Sequence, residues 1–340
     1  MKSELGKLPD VQRDGRDLRP RGLSDFIGQV QVVSNLTLAM EAARQRKETL
    51  DHILLSGPPG LGKTTLAHII ANEMKANIRE TVGPAIDKPG DLAGILSGLL
   101  AGDVLFIDEI HNLKRDVSEY LYSAMEDFRI TVRIGEGASA SSLTMNLNPF
   151  TLIGATTREG RLAQPFRSRF GIRERLNLYT PAELGQILAR SAEHLAIAAD
   201  SAGLQAIADR ARGSARIANG YLRRIRDVAQ VQYAGVISTE AVDEGMANLG
   251  VDRRGLCDLD RRILRCLAKT HRPVGLKTIA SSVGEEEFTI EETYEPWLLQ
   301  QGLILKTPTG RVIMPPGREH LAALGALPAM PAPHGATALW

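Results

Sequence analysis

The sequence predicts an α/β fold built on a parallel sheet. A small helical domain follows, and then a module of three short helices and a β-hairpin. Three observations carry this. Apolar runs too short for helices alternate with helical spacing over the first half of the chain. A glycine-rich phosphate-loop pattern lies between one such run and a helix. Past "YTPAEL" (179–184) the strand signals stop and amphipathic helices take over.

Residues 1–18 are charged and lack apolar periodicity, which predicts a flexible arm. "HILL" (52–55), "DVLFID" (103–108) and "FTLIGATT" (150–157) read as strands covered on both faces, the pattern of a parallel sheet under helices. "PAELGQILARSAEHL", "SAGLQAIADRA" and "RIANGYLRRIRDVAQ" carry helical spacing. A third unit opens near "DLDRRILRCL", continues through "GLKTIASSVG" and "TIEETYEPWLLQQG", and ends in "LILKTPTGRVIMP", whose TPTG marks a hairpin turn. That order is a winged helix. The Ala/Pro-rich end reads as disordered. The expected division is 1–18 arm, 19–180 sheet domain, 181–252 helical domain, 253–322 winged helix and 323–340 tail.

A net charge of +1 gives no global pull toward nucleic acid or membrane, so any basic surface must be local. The two cysteines, Cys257 and Cys266, have no metal-ligand spacing and argue for a reducing, cytoplasmic setting without structural zinc. The N-terminal stretch lacks an apolar h-region and no run approaches a membrane span, so neither secretion nor membrane insertion is expected.

"GPPGLGKTT" (57–65) fits G-x-x-x-x-G-K-[ST]. Gly57, Gly60 and Gly62 let backbone N–H groups turn toward phosphate oxygens where a Cβ would intrude. Lys63 is placed to reach the β- and γ-phosphates, and Thr64 to offer a hydroxyl to Mg2+. "LFIDEIH" (105–111) ends a buried run on two adjacent carboxylates. Alone, that pair reads equally as a solvated acidic loop. Beside a phosphate loop, Asp108 reads as a Mg2+ ligand and Glu109 as the group that orients and deprotonates water. His111 reads as a packing or hydrogen-bonding residue, since no partner ligand stands at useful spacing. Thr157, at the end of the next buried strand, can bond the γ-phosphate or the attacking water.

"PFRSRFGIRERL" (165–176) gathers Arg167, Arg169, Arg173 and Arg175 beside two phenylalanines. It reads either as a nucleic-acid patch or as interfacial and solvated charge.

With these motifs in view, the chain resembles the RuvB family, ring-forming AAA+ motors of Holliday-junction branch migration. "LRPRGLSDFIGQ", "KPGDLAGIL", "DVLFIDEIH", "YSAMEDF", "FTLIGATTREG", "RSRFGI", "RIAN", "LDRRIL", "PVGLKTIA" and "YEPWLLQQG" occur in the family's order. The resemblance implies an α/β fold: an AAA+ P-loop NTPase parallel-sheet domain, a small helical lid domain and a C-terminal winged-helix domain. It implies an ATP hydrolase that uses ATP and Mg2+, acts as a homo-oligomeric ring, a hexamer, on duplex and four-way junction DNA, and works with a junction-binding RuvA-type partner. Arg169 matches the arginine that completes a neighbour's site. Leu18 and Arg19 match the adenine end, and Glu126, Asp127 and Phe128 a further nucleotide-contacting stretch. Gly60, Gly62, Lys63, Thr64 and Thr65 match the phosphate cradle, Tyr179 the aromatic before the lid, and Arg216 the lid arginine. Alternatives are a divergent AAA+ paralogue and a clamp-loader-like ATP switch with a different partner.

The helix before the hairpin carries Glu285, Glu286, Glu287, Glu291, Glu292 and Glu295, a poor reader of a phosphate-lined groove. Ile290, Tyr294, Trp297 and Leu298 give it an apolar face for the core. Lys306 and Arg311 bracket the wing turn and match the family's backbone-contacting residues, with a solvated hairpin as the alternative. Three places depart from the family pattern: Ala215 where proline is usual, Thr309 where arginine is usual, and Ala138 and Ser141 in the partner-binding segment 134–150.

Overall fold

The runs that read as doubly covered strands form the middle of a five-stranded parallel sheet. In chain order the strands are β1 (Ile53–Ser56), β2 (Ile78–Val82) and β3 (Val104–Asp108), an antiparallel hairpin of β4 (Arg129–Ile134) and β5 (Ser141–Asn146), then β6 (Thr151–Thr156) and β7 (Ile172–Arg175). The sheet order is β2-β3-β6-β1-β7 and every pairing in it is parallel. β1 and β6 are buried throughout, as is β3 up to its terminal Asp108. The edge strands β2 and β7 have no apolar run, because "IRETV" and "IRER" carry charged residues at the centre of half-covered edges.

The computed structural model describes residues 18–134, 141–270 and 272–325. Most of the predicted arm and tail, and Ala138, lie outside the described residues. The chain falls into two compact units, 1–208 with 213–222, and 209–212 with 223–340.

In the first unit, four main helices flank the strands: α1 (Val30–Arg46), α2 (Lys63–Glu73), α3 (Pro89–Ser97) and α4 (Arg115–Asp127). Their apolar faces join Leu54, Leu105, Ile107, Leu121, Phe150, Leu152, Phe166 and Phe170 in one buried cluster for α3 and α4. The phosphate loop follows β1 and Asp108 ends β3, so both lie at strand carboxyl ends, where open parallel sheets bind ligands. The helix Ala215–Gln232 starts in this unit without the usual proline. Ser214 instead accepts the N–H of Ile217 at 3.5 Å, the role of an N-terminal cap.

The second unit contains Asp258–Ala268, Leu276–Val283, a helix running from Glu287 to Gln300, and the strands Ile304–Thr307 and Gly310–Ile313. The long helix widens into a π turn at Ile290–Tyr294, just before Pro296, which has no N–H to continue the ladder. Ile290 and Leu298 are buried and Tyr294 and Trp297 pack against the same core, as their spacing predicts.

Asp260, fully buried, forms an ion pair with Arg212 and accepts the Cys257 N–H at 2.8 Å. Arg212 also donates Nε to the Gly255 carbonyl at 2.7 Å. Removing one member strands the other in low dielectric. Asp260→Ala is expected to cost about 3–5 kcal/mol in chemical denaturation, and adding Arg212→Met should recover most of it. A double variant no more stable than the single would sink this account.

Candidate active site and wing

The phosphate loop is held open by glycines in conformations that side chains rarely adopt. Gly60 has φ +77°, and a Cβ there would stand 2.4 Å from Ser214 Oγ and 2.8 Å from Arg216 Cβ. Gly62 has φ +99°, and its Cβ would meet Phe26 Cζ at 3.0 Å. The Arg216 N–H donates to the Gly60 carbonyl at 3.3 Å, so Arg216 is anchored to the loop through its own backbone. Tyr179 donates its hydroxyl to the Leu61 carbonyl at 2.9 Å. Burial, then Glu183, pushes that phenol well above its ordinary range and keeps it a donor.

Lys63 opens α2 and is buried, 7 % exposed. Its ammonium donates to the carbonyls of Gly57 at 2.7 Å and Pro58 at 2.9 Å. Burial lowers its pKa, the carboxylates of Glu109 and then Asp108 oppose this, and the Arg216 charge adds to the lowering. The four groups therefore share one electrostatic neighbourhood. Thr64 and Thr65 follow in the first turn of α2, whose free N–H groups favour an anion.

Asp108 accepts the Glu109 N–H at 2.9 Å. Glu109 adopts φ +48°, a left-handed turn that ends the strand and swings the side chain out of the ladder. Its Oε2 accepts the Thr157 hydroxyl at 3.3 Å and lies 3.2 Å from His111 Nδ1. His111 in turn lies 2.9 Å from Thr156 Oγ1, which accepts the Arg158 N–H at 2.9 Å. Lys63, Thr64, Thr65, Asp108, Glu109, Thr157, Gly60, Gly62, Tyr179 and Arg216 thus gather around the loop.

Other predicted residues lie elsewhere. Arg169 pairs with Glu126 at 3.1 Å, donates to the Pro165 carbonyl, and stands over the Tyr122 ring. None of these partners belongs to the phosphate loop. Asp127 lies 3.9 Å from Arg129, and Phe128 packs edge-on to Phe150 with ring centroids 5.9 Å apart. Leu18 is half-buried and Arg19 exposed, and no hydrogen bond among the described residues joins either to the loop. Phe26, His111, Thr156 and Ser214 complete the site without having been picked as site residues. Only His111 carried a signal, standing two positions after Glu109.

In the second unit Lys306 and Arg311 are cross-strand partners that face carboxylates. Lys306 Nζ lies 2.8 Å from Glu291 and 3.4 Å from Glu295. Arg311 lies 2.8 Å from Glu295 and 3.4 Å from Glu291. The Glu291 hydrogen bond raises the Lys306 ammonium. Arg311 is 11 % exposed and committed to this cluster, whereas Lys306 at 49 % is open to a phosphate. Thr309 sits exposed at the turn.

Among the described residues no three His, Cys, Asp or Glu side chains gather as a metal cage, and no helix is long and apolar enough to cross a membrane. The family model for the Holliday junction DNA helicase RuvB P-loop domain matches residues 18–176. Those for the RuvB AAA lid domain and the RuvB C-terminal winged helix domain match 179–252 and 253–322. The Holliday junction branch migration complex subunit RuvB of Kosmotoga olearia is 53% identical over 308 residues, 90% of each chain. The protein of the same description from Methanoregula boonei is 54% identical over 316 residues, covering 92% of this chain and 94% of that one. The solved Thermotoga maritima RuvB Holliday junction branch migration motor superposes with a TM-score of 0.80 at 47% identity, covering 90% of this chain and 98% of that one.

Proposed function

Because this chain belongs to the RuvB family, we propose that it is the ATP-driven subunit of a ring motor that translocates duplex DNA and drives branch migration at Holliday junctions in recombination and repair. It is an AAA+ P-loop ATPase with a winged-helix domain. The observation that carries the mechanism is a division of labour within one chain. The cradle and its carboxylates are assembled together, while Arg169 is held elsewhere, beside Glu126.

On this reading Gly60, Gly62, Thr65 and the N-terminus of α2 bind the phosphates through backbone N–H groups, and Lys63 adds the charge that tightens that grip. Thr64 and Asp108 offer hard oxygen donors at the open cradle, a donor set that suits Mg2+ supplemented by substrate phosphates. Mg2+ held there would neutralise charge on the phosphate oxygens. Glu109 takes a proton from the attacking water, and Thr157 orients that carboxylate through its hydroxyl. Arg169 reaches a neighbouring subunit's ATP, with Glu126, Asp127 and Phe128 as a further nucleotide-contacting stretch, Leu18 and Arg19 toward the adenine, and Tyr179 at the junction with the lid. Arg216 links phosphate occupancy to the lid, because its backbone already holds Gly60.

The division into 19–180, 181–252 and 253–322 then has a mechanical meaning: site, lever and DNA grip. Lys306 contacts the DNA backbone, with Arg311 holding the carboxylates beneath it. The ring is a homo-hexamer working in the cytoplasm. Its junction-binding partner docks on the 134–150 segment, where the Ser141 side chain and Ala138 lie outside the described residues.

ATP turnover is expected to rise on titration with four-way junction DNA, and less with linear duplex of equal length. Flat turnover from protein shown to be assembled would overturn the coupling to DNA.

A further inference from the structure

Tyr122 and Glu126 stand one turn apart on α4, so both side chains leave the same face. Arg169 meets both. Its guanidinium carbon lies 4.6 Å from the centroid of the Tyr122 ring. Its Nε and Nη2 each lie 3.1 Å from a Glu126 carboxylate oxygen. The ring is itself held, with its centroid 5.1 Å from that of Phe166, which is 5.3 Å from that of Phe170. Both phenylalanines are buried, so an aromatic stack ties α4 to the segment that carries the arginine.

A guanidinium presents two separate surfaces. Its flat face attracts the negative face of an aromatic ring, and its edge carries the N–H donors. Tyr122 takes the face and Glu126 takes the edge. We propose that Tyr122 is a positioning residue for Arg169: its ring fixes the guanidinium plane so that the donor edge can exchange Glu126 for a phosphate oxygen of a neighbouring subunit's ATP. This rests on the trans role proposed for Arg169. The Glu126 side chain is 57 % exposed, so its pair with Arg169 is screened by solvent and easily exchanged. The ring contact uses no N–H group and survives that exchange. An arginine left to sample its rotamers would have to be ordered again at each catalytic cycle.

The test replaces Tyr122 with phenylalanine and then with mono-, di- and trifluorophenylalanine. These keep the ring's shape and withdraw charge from its face. Tyr122→Phe should turn over ATP at the wild-type rate. The fluorinated series should lose kcat stepwise to about tenfold, equivalent to about 1.4 kcal/mol, with KM for ATP unchanged. Tyr122→Leu should show a similar loss, and co-assembly with Lys63→Ala subunits, whose Arg169 and Tyr122 are intact, should restore turnover at the competent sites. A flat fluorination series alongside an inactive Arg169→Ala overturns the positioning role and leaves the trans role standing. A Tyr122→Leu defect that Lys63→Ala subunits fail to restore also overturns it. Wild-type turnover by Arg169→Ala overturns the trans role, and the inference with it.

Discussion

Arg169→Ala is expected to bind ATP with near-native affinity and to hydrolyse it about a thousandfold more slowly or worse, the scale on which an arginine finger acts. Geometry separates the two effects. On the proposed reading, phosphate is gripped in the same chain by Lys63, the N-terminus of α2 and the glycine cradle, whereas Arg169 bonds Glu126. A phosphoryl-transfer transition state spreads charge over its equatorial oxygens, and a planar guanidinium entering from outside stabilises that charge more than the ground state. Supplied by a neighbour, it also makes hydrolysis depend on assembly. The trans assignment is tested by mixing. Lys63→Ala chains cannot hold nucleotide productively but keep their arginine, and Arg169→Ala chains keep an intact cradle. Each preparation should be nearly inactive alone, and mixed assemblies should recover turnover at interfaces that pair one of each. Mixed assemblies confirmed by mass that stay inactive would place Arg169 in its own chain's chemistry.

The parts legible in the sequence were those whose signal is local. The phosphate loop spans nine consecutive residues between a buried run and a helix, and the structure keeps that order. Likewise the three central strands announced themselves because both faces are covered, so apolar residues dominate them and the uncharged polar exceptions, Ser56, Thr151 and Thr156, are buried. β2 and β7 gave no such signal: an edge strand satisfies a parallel partner on one side only and tolerates arginine and glutamate. Side-chain partnerships across the fold were not legible. Glu126 and Arg169 are separated by 43 residues, and His111 and Thr156 by 45.

The wing shows the same limit from the other side. The helix before it read as too acidic to track a phosphate backbone, and Lys306 and Arg311 read as backbone contacts or as the charge of a solvated hairpin. What spacing alone could not show is that Glu291 and Glu295 from that helix face these two cations, with Glu295 almost fully buried, 3 % exposed. Two carboxylates of the acidic helix and the two cations of the hairpin form one ion-pair cluster in the structure. It leaves Lys306 as the more exposed of the two charges.

Glu109→Gln is the second variant expected to lose turnover by a large factor, about a thousandfold, within the range for removal of a general base. The substitution is nearly isosteric, so the surroundings decide what it disturbs. In the native site Oε2 lies within reach of the Thr157 hydroxyl and His111 Nδ1. A glutamine oxygen can still accept the threonine proton, so the side chain should stay in place, but an amide cannot take up the proton that water must lose. ATP binding should therefore persist, measured by a fluorescent analogue at equilibrium, while single-turnover hydrolysis fails. Thr157→Val should give the milder defect, because it frees the carboxylate to rotate without removing its basicity. The ordering of the two is the discriminating result. A Thr157→Val loss equal to that of Glu109→Gln would mean that threonine acts on substrate directly. Glu109→Gln turnover within a few-fold of native would move the proton-accepting role to another group at the strand ends.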